Sequence, residues 1–297
     1  MYWNSLNDHL KAQYGCKVYK LALSSGCNCP NRDENGKRGC IFCDGAGAFA
    51  ASGSIAEQLA DAKAKVSAKL KGPVKYIAYF QSFTNTYAPA AQLEPLFRAA
   101  MEPDDVAILS IATRPDCLGP EILDLLDNCN KIKPVWVELG LQTIHPDTAR
   151  YIRRGYDLSV YDKAVADLKA RGITVIVHQI LGLPGETAEQ MAATSRYIGH
   201  SGADGIKLHL LHVLKGTDLA AEWAAGRIPT LKLDEYIQIL ERCVESLPRD
   251  MVIHRLTGDG AKRDLLAPLW SGDKKRVLNT IHKAFLEDNV EQGRLFF

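Results

Sequence analysis

The chain has 297 residues, 46% of them apolar and 24% charged, and a formal net charge of +1. That length can bury one sizeable core, and the charge supplies no overall basic field to attract nucleic acid. No apolar run approaches the ~20 residues that span a bilayer, and the opening MYWNSLND has neither the basic nor the apolar region of a secretory signal. The chain therefore reads as cytoplasmic, where its eight cysteines stay reduced and available to metals, which argues against a disulfide framework.

Residues 17–23 (KVYKLAL) alternate as a strand and lead directly into 27–43, CNCPNRDENGKRGCIFC. Four cysteines fall within these seventeen residues, in a segment too rich in Gly, Asn, Asp and Pro for a helix or strand. Such a loop reads as a metal loop. If Cys27, Cys29, Cys40 and Cys43 all bind, they close a four-thiolate zinc site. If only Cys29, Cys40 and Cys43 bind, they suit a [4Fe–4S] cluster whose fourth iron can take a small ligand such as S-adenosylmethionine (SAM). Phe42 then lies beside the cluster, placed to pack on an adenine.

Ser54 can cap a helix running to about residue 70, ended by Gly72-Pro73. Further strands are predicted at 74–80, 106–112, 135–141, 174–181 and 205–213, and a short one at 251–256. Helices are predicted at 90–101, 120–129, 145–153, 158–171, 186–200, 231–247 and 274–288, with Gly172 as a C-cap. No internal repeat, low-complexity tract or interdomain linker interrupts the series.

Strands alternating with helices at this spacing imply βαβ units and a parallel sheet. The nearly continuous apolar strands fit a sheet covered on both faces. Polar residues recur just after the strands: Gln81-Ser82, Thr113-Arg114, Gln142, and Gly182 to Glu186. In barrels that end carries the active site, and the cysteine loop falls at the same end. The predicted fold is an α/β partial (β/α)6 barrel in a single domain over 1–297, with a core at about 17–215 and an extension at about 216–297 that closes the mouth.

With these residues in view, the chain resembles the radical SAM enzymes, nearest the YhcC-like group related to the radical SAM domain of the Elongator catalytic subunit. The resemblance runs through SLNDHL at 5–10, CPNRD at 29–33, QSFTNTYAP at 81–89, TRPDCL at 113–118 and ELGLQTIH at 138–145. It continues through LGLPGET at 181–187, HLLHVLKGT at 209–217 and HRLTGDG at 254–260. Ten residues separate Cys29 from Cys40, against the three common in radical SAM loops, and this spacing is itself a mark of the Elongator-related group. That subunit's acetyltransferase domain is not expected here, because the 297 residues leave no room for it.

The resemblance implies that Cys29, Cys40 and Cys43 hold the cluster, with Cys27 a bystander. Gln81 and Ser82 would meet the SAM amino group, Gln142 the ribose, and Arg154 the carboxylate through its guanidinium fork. Gly182, Gly185 and Glu186 fall in the segment near the adenine. His178 stands where relatives often have a ribose-binding carboxylate, and His209 is a further cofactor-side candidate. His209 and His212, three apart on one strand, would face opposite sides. Cys117 is a candidate hydrogen-donor thiol beside the mouth, and Asp259 and Arg255 are candidate substrate contacts.

The implied chemistry is reductive cleavage of SAM by an electron from a flavodoxin or ferredoxin, giving a 5′-deoxyadenosyl radical that takes a hydrogen atom from the substrate. The implied substrate is the position-5 side chain of a tRNA wobble uridine. Arg114, Lys207, Lys215, Arg255, Lys262, Arg263 and the run from Lys274 through Lys275 to Arg276 are candidate RNA contacts. A radical SAM enzyme acting on a small metabolite or protein side chain, and a non-catalytic zinc-binding protein, are the alternatives.

Overall fold

A computed structural model of the chain describes residues 2–32, 39–44, 52–68, 70, 72–258 and 263–297. Asp259 and Lys262, two of the candidate contacts, lie outside the described residues.

The elements follow the predicted alternation. They run α1 (Leu6–Tyr14), β1 (Lys17–Leu23), α2 (Ile55–Ser67), β2 (Val74–Phe80), α3 (Ala90–Met101), β3 (Val106–Thr113), α4 (Pro120–Asn130) and β4 (Val135–Gln142). Next come α5 (Pro146–Tyr151), α6 (Leu158–Lys169), β5 (Thr174–Leu181), α7 (Ala188–His200), β6 (Gly205–Leu210) and β7 (Val213–Leu214). The chain then continues through α8 (Asp218–Ala224), α9 (Leu233–Glu245), β8 (Val252–Arg255), β9 (Leu265–Ala267) and α10 (Lys274–Glu287).

Local chemistry sets several boundaries. Ser54 with Glu57, and Thr187 with Gln190, form capping boxes that start α2 and α7. Pro120 and Pro146 occupy the first turns of α4 and α5, where a missing N–H costs nothing.

Among the described residues, the main sheet has seven strands in the order β1-β2-β3-β4-β5-β6-β8, every neighbouring pair parallel. It curls into a half-barrel with helices on its convex side. The short strand predicted at 251–256 is its seventh member, so the sheet draws on the C-terminal segment as well as on the six expected repeats. The predicted strand at 205–213 stops at Leu210, and residues 213–214 pair antiparallel with β9 in a separate two-stranded sheet.

Period-two alternation sorts the strands' side chains between two faces. Leu23, Phe80, Leu109, Val137 and Val177 face the helices and meet Phe97, Leu126, Leu168 and Leu240 in the main core. The concave face is layered. At the end where the strands begin, Leu10 of α1 plugs it against Ile77, Ile108, Trp136 and Ile176. Above that apolar layer lies a polar one containing Tyr79, Ser110, Glu138, His178 and Lys207, joined at its edge by Lys20. The cysteine loop lies above the polar layer, at the strands' C-terminal ends.

Candidate active site

The cysteine loop is pinned from several directions. The Ile41 amide donates to the Ile152 carbonyl at 3.2 Å, and the Leu219 amide donates to the Ile41 carbonyl at 2.9 Å. Ile41 belongs to a small apolar cluster with Ile152, Leu183, Leu219 and Ile228, against which Phe42 packs. Asn31 donates to the Arg153 carbonyl at 2.5 Å and reaches Cys40 Sγ at 3.3 Å. Gly155 is required here: its φ is +83°, and a Cβ would stand 2.7 Å from Asn31 Oδ1.

Cys29, Cys40 and Cys43 border one cavity of about 230 Å³, together with Phe42, Gln81, Arg114, Gln142, Arg154 and His178. Glu138 forms part of the same wall. Cys27 does not border it and packs against the main core instead. Among the described residues, no three His, Cys, Asp or Glu side chains converge on a single ion position. The donor set nonetheless suits thiolates that each hold a separate iron. Arg32 Nη2 lies 3.1 Å from Cys43 Sγ, Asn31 Nδ2 bonds Cys40 Sγ, and Arg114 adds positive charge. Burial pushes the Cys40 thiol up to about 11, so a metal must displace its proton to bind it as thiolate, and binding strengthens as pH rises.

Arg154 is 4% exposed, and its guanidinium makes four hydrogen bonds to backbone carbonyls: two to Tyr156, one to Thr143 and one to Leu141. A guanidinium has five N–H groups, so one donor remains, on Nη2, and the expected two-pronged fork is not available. Gln142 has φ +70°, a left-handed conformation unusual for a side-chain-bearing residue. Phe83 and Arg153 share this feature, so three of the four such residues among those described cluster around this mouth, as strained functional backbone tends to.

The polar layer under the cavity centres on Glu138, whose side chain is 0% exposed. Its carboxylate accepts from Lys207 Nζ, from Tyr79 Oη at 2.8 Å, from His178 Nε2 at 2.8 Å and from Ser110 Oγ at 3.0 Å, with Lys20 Nζ at 3.4 Å. Against the burial cost, the Lys207 and Lys20 ammonium groups hold it well below the usual carboxylate range. Burial and Lys207 push His178 down to about 4. The His178 ring also lies tilted against that of His209, centroids 5.1 Å apart; burial keeps His209 neutral, and its Nε2 has no partner among the described residues.

A second cavity of about 240 Å³ opens beyond His178. It shares Phe42, Gln142 and His178 with the first and continues along Ile180, His209, Leu211, His212 and Leu214. Because β6 ends at Leu210, strand alternation no longer applies past it, and His209 and His212 border the same space instead of facing apart.

The other candidates are more scattered. Lys207 is 3% exposed and paired with Glu138 on the concave face, so it is not an RNA contact. The Arg114 side chain is 11% exposed, bridged to Asp116 and laid over the Tyr156 ring, so it is part of the cavity wall. Cys117 borders a separate groove with Pro30 and Tyr87, where burial and Asp116 push its thiol up to about 12. Ser82 is buried next to Gln81. Gly182 (φ +87°) is covered by Leu231, while Gly185 has open space around it. Glu186 accepts from Thr143 Oγ1 and is raised by burial. Arg255 is half-buried on β8, in register with Lys207. Lys215 and Arg263 lie at the β7–β9 ribbon, with Arg263 exposed and bridged to Asp264. No described helix is long and apolar enough to cross a membrane.

Comparison with known proteins follows the same geography. The Radical SAM superfamily profile matches residues 25–198, and the Radical_SAM C-terminal domain matches 203–287. The chain is 41% identical over 299 residues to the uncharacterized protein YtqA of Bacillus subtilis, covering 99% of this chain and 92% of that protein. It is 38% identical over 298 residues to protein YhcC of Escherichia coli, covering 98% and 95%. Against the tRNA uridine(34) acetyltransferase of Methanocaldococcus jannaschii it is 30% identical over 184 residues, covering 60% of this chain and 32% of that protein. The solved structure of Methanocaldococcus infernus Elp3 superposes with a TM-score of 0.72 at 17% identity, over 93% of this chain and 64% of that one.

Proposed function

The chain belongs to the radical SAM superfamily, and from that premise we propose that it modifies the position-5 side chain of the tRNA wobble uridine. Members of this family bind a [4Fe–4S] cluster and SAM. When bound, these supply one-electron cleavage of the sulfonium and a 5′-deoxyadenosyl radical that abstracts hydrogen, the hard chemistry belonging to the cofactor.

The observation that carries the reading is that three thiols and no fourth face one cavity at the C-terminal mouth of a parallel half-barrel. Cys29, Cys40 and Cys43 would hold the cluster, while Cys27 packs half-buried against the core. Phe42 offers its ring to the adenine, Gln81 and Ser82 their backbone to the amino group, and Gln142 its amide to the ribose. Arg154 keeps the β4 end and the following loop in place through its four carbonyl bonds, and turns its remaining N–H toward a carboxylate. The apolar cluster around Ile41 and Phe42 excludes water from the mouth.

RNA as substrate is supported by the similarity to a tRNA uridine(34) acetyltransferase, of which this chain spans about a third. The electron donor would be a flavodoxin or ferredoxin.

The test is anaerobic reconstitution with iron and sulfide, followed by dithionite and SAM, with 5′-deoxyadenosine as the readout. It should form, should vanish in Cys43→Ala, and should rise when total tRNA is added. Intact SAM beside one tightly bound zinc would refute the reading. 5′-Deoxyadenosine that ignores tRNA and responds to a metabolite extract would move the substrate to a small molecule.

A further inference from the structure

We propose that the second cavity receives the uracil ring of the RNA substrate, turned out of its strand, and that His178 Nδ1 accepts the ring's imide N–H. This rests on the RNA reading above.

The first step fixes the tautomer. Glu138 is ionised, and a carboxylate can only accept. His178 Nε2, 2.8 Å from Glu138 Oε2, must therefore carry the proton. In a neutral imidazole that leaves Nδ1 as a bare acceptor. The His178 side chain is 19% exposed, no described protein group bonds Nδ1, and the ring borders both cavities.

The second step is what the cavity admits. Among the described residues its lining has no Lys, Arg, Asp or Glu; beside His178, its walls are Phe42, Ile180, Leu210, Leu211 and Leu214 with Gln142, His209 and His212. At about 240 Å³ it holds one flat ring, and a largely apolar lining with no Lys or Arg among the described residues disfavours phosphate. A nucleobase from an unpaired loop reaches such a pocket at little unstacking cost.

The third step is discrimination. Uracil presents N–H at its imide position, whereas cytosine presents a lone pair there and would set acceptor against acceptor at Nδ1. A buried site built to bond one partner rejects the analogue that cannot make the bond. A ribose hydroxyl of SAM is the other neutral donor that could satisfy Nδ1, and the experiment separates the two.

Reconstituted enzyme with SAM and no reductant is titrated by fluorescence anisotropy with two anticodon stem-loop RNAs differing only in U or C at the wobble position. The wild type should prefer the U form by at least about tenfold, as for one misread base. Ile180→Trp, which fills the cavity, should bring the ratio to near one while cluster absorbance and SAM affinity persist, and His178→Leu should bring the ratio to near one as well. Equal binding by the wild type overturns the proposal. So does a ratio that survives both variants, and a His178→Leu that loses SAM affinity while keeping the ratio assigns Nδ1 to the ribose. Uridine and cytidine are also dialysed against the same enzyme. Neither RNA bound but uridine retained over cytidine upholds the cavity and refutes the RNA reading; no retention of either overturns both.

Discussion

Glu138 and Lys207 meet on the concave face of the sheet, the carboxylate fully shielded and the ammonium 3% exposed. The pair is unequal. Lys207 has Glu138 and the Tyr79 hydroxyl, while Glu138 also holds His178, Ser110 and Lys20. Glu138→Leu strands a buried cation with one hydroxyl and should cost about 3–5 kcal/mol. Lys207→Met leaves the carboxylate four partners and should cost about 1–3 kcal/mol. Urea denaturation followed by circular dichroism gives both values, and the reverse order would show that the network is not centred on Glu138.

The same layer sets an acid limit on stability. Burial, reinforced by Lys207, lowers His178 to about 4, from about 6.5 in the unfolded chain. Between those values the unfolded chain binds a proton that the folded imidazole refuses. The contribution is therefore complete above about pH 6.5 and is lost as pH falls towards 4, reaching about 2 kcal/mol at pH 5. His209 and His254, buried and lowered in the same direction, add to it. Urea midpoints at pH 7, 6 and 5 should fall steeply in the wild type and less steeply in His178→Asn. Parallel profiles would mean that His178 titrates normally in the folded protein.

The parallel architecture and the cysteine loop were legible because each depends on local sequence: apolar strands of uniform length, capping boxes at Ser54 and Thr187, thiols in a Gly- and Asn-rich segment. The polar layer was missed although its signal was present. Tyr79, Ser110, Glu138, His178 and Lys207 are each a polar residue set in an apolar strand, at the parity facing inward. Taken strand by strand they look unrelated; only the register joins them, which is why Lys207 passed for a surface cation. Helix α1 also had its signals, Ser5 as N-cap with Asp8 and a left-handed Gly15 at the end. The end of β6 at Leu210 depended on the β7–β9 pairing, which joins residues 51 and 54 apart in the chain (265 minus 214 and 267 minus 213) and is invisible to local pattern.

Arg154→Lys tests whether the guanidinium is what shapes the mouth. One ammonium cannot reach the carbonyls of Leu141, Thr143 and Tyr156 together, and buried carbonyls left unpaired cost about 1–3 kcal/mol each. The loop they belong to carries the Arg153 carbonyl that Asn31 bonds and that lies 3.6 Å from Cys40 Sγ. The variant should lose about 2–3 kcal/mol of stability and reconstitute with less iron. Full iron with unchanged stability would leave Arg154 without a positioning role.

Cys27 and Cys43 separate the two ways of counting ligands. Cys27 packs against the core and Cys43 is exposed at the cavity. Cys27→Ala should keep the full iron content and its absorbance, with a stability loss of about 1 kcal/mol from poorer packing. Cys43→Ala should lose the cluster. Iron loss in Cys27→Ala would restore four-thiolate binding.

Lys274, Lys275 and Arg276 are the contiguous run among the candidate RNA contacts. They lie exposed in the first turn of α10, after the N-cap Asp273, where the helix dipole disfavours cations. Their joint replacement by Gln relieves that dipole repulsion, worth a few tenths of a kcal/mol, and urea denaturation of the variant checks that the fold is intact. In a variant whose urea midpoint is kept, a change in RNA binding reports charge and not damage. If the run neutralises phosphates, the slope of log affinity against log salt should fall by about 0.7–0.9 for each phosphate set free. The effect should be equal on U- and C-containing stem-loops, because phosphate contacts carry no sequence information. An unchanged slope removes α10 from the proposed RNA-binding face and leaves the exposed Arg150 and Arg153 beside the cysteine loop, and Lys215 and Arg263 at the β7–β9 ribbon, as its candidate cations.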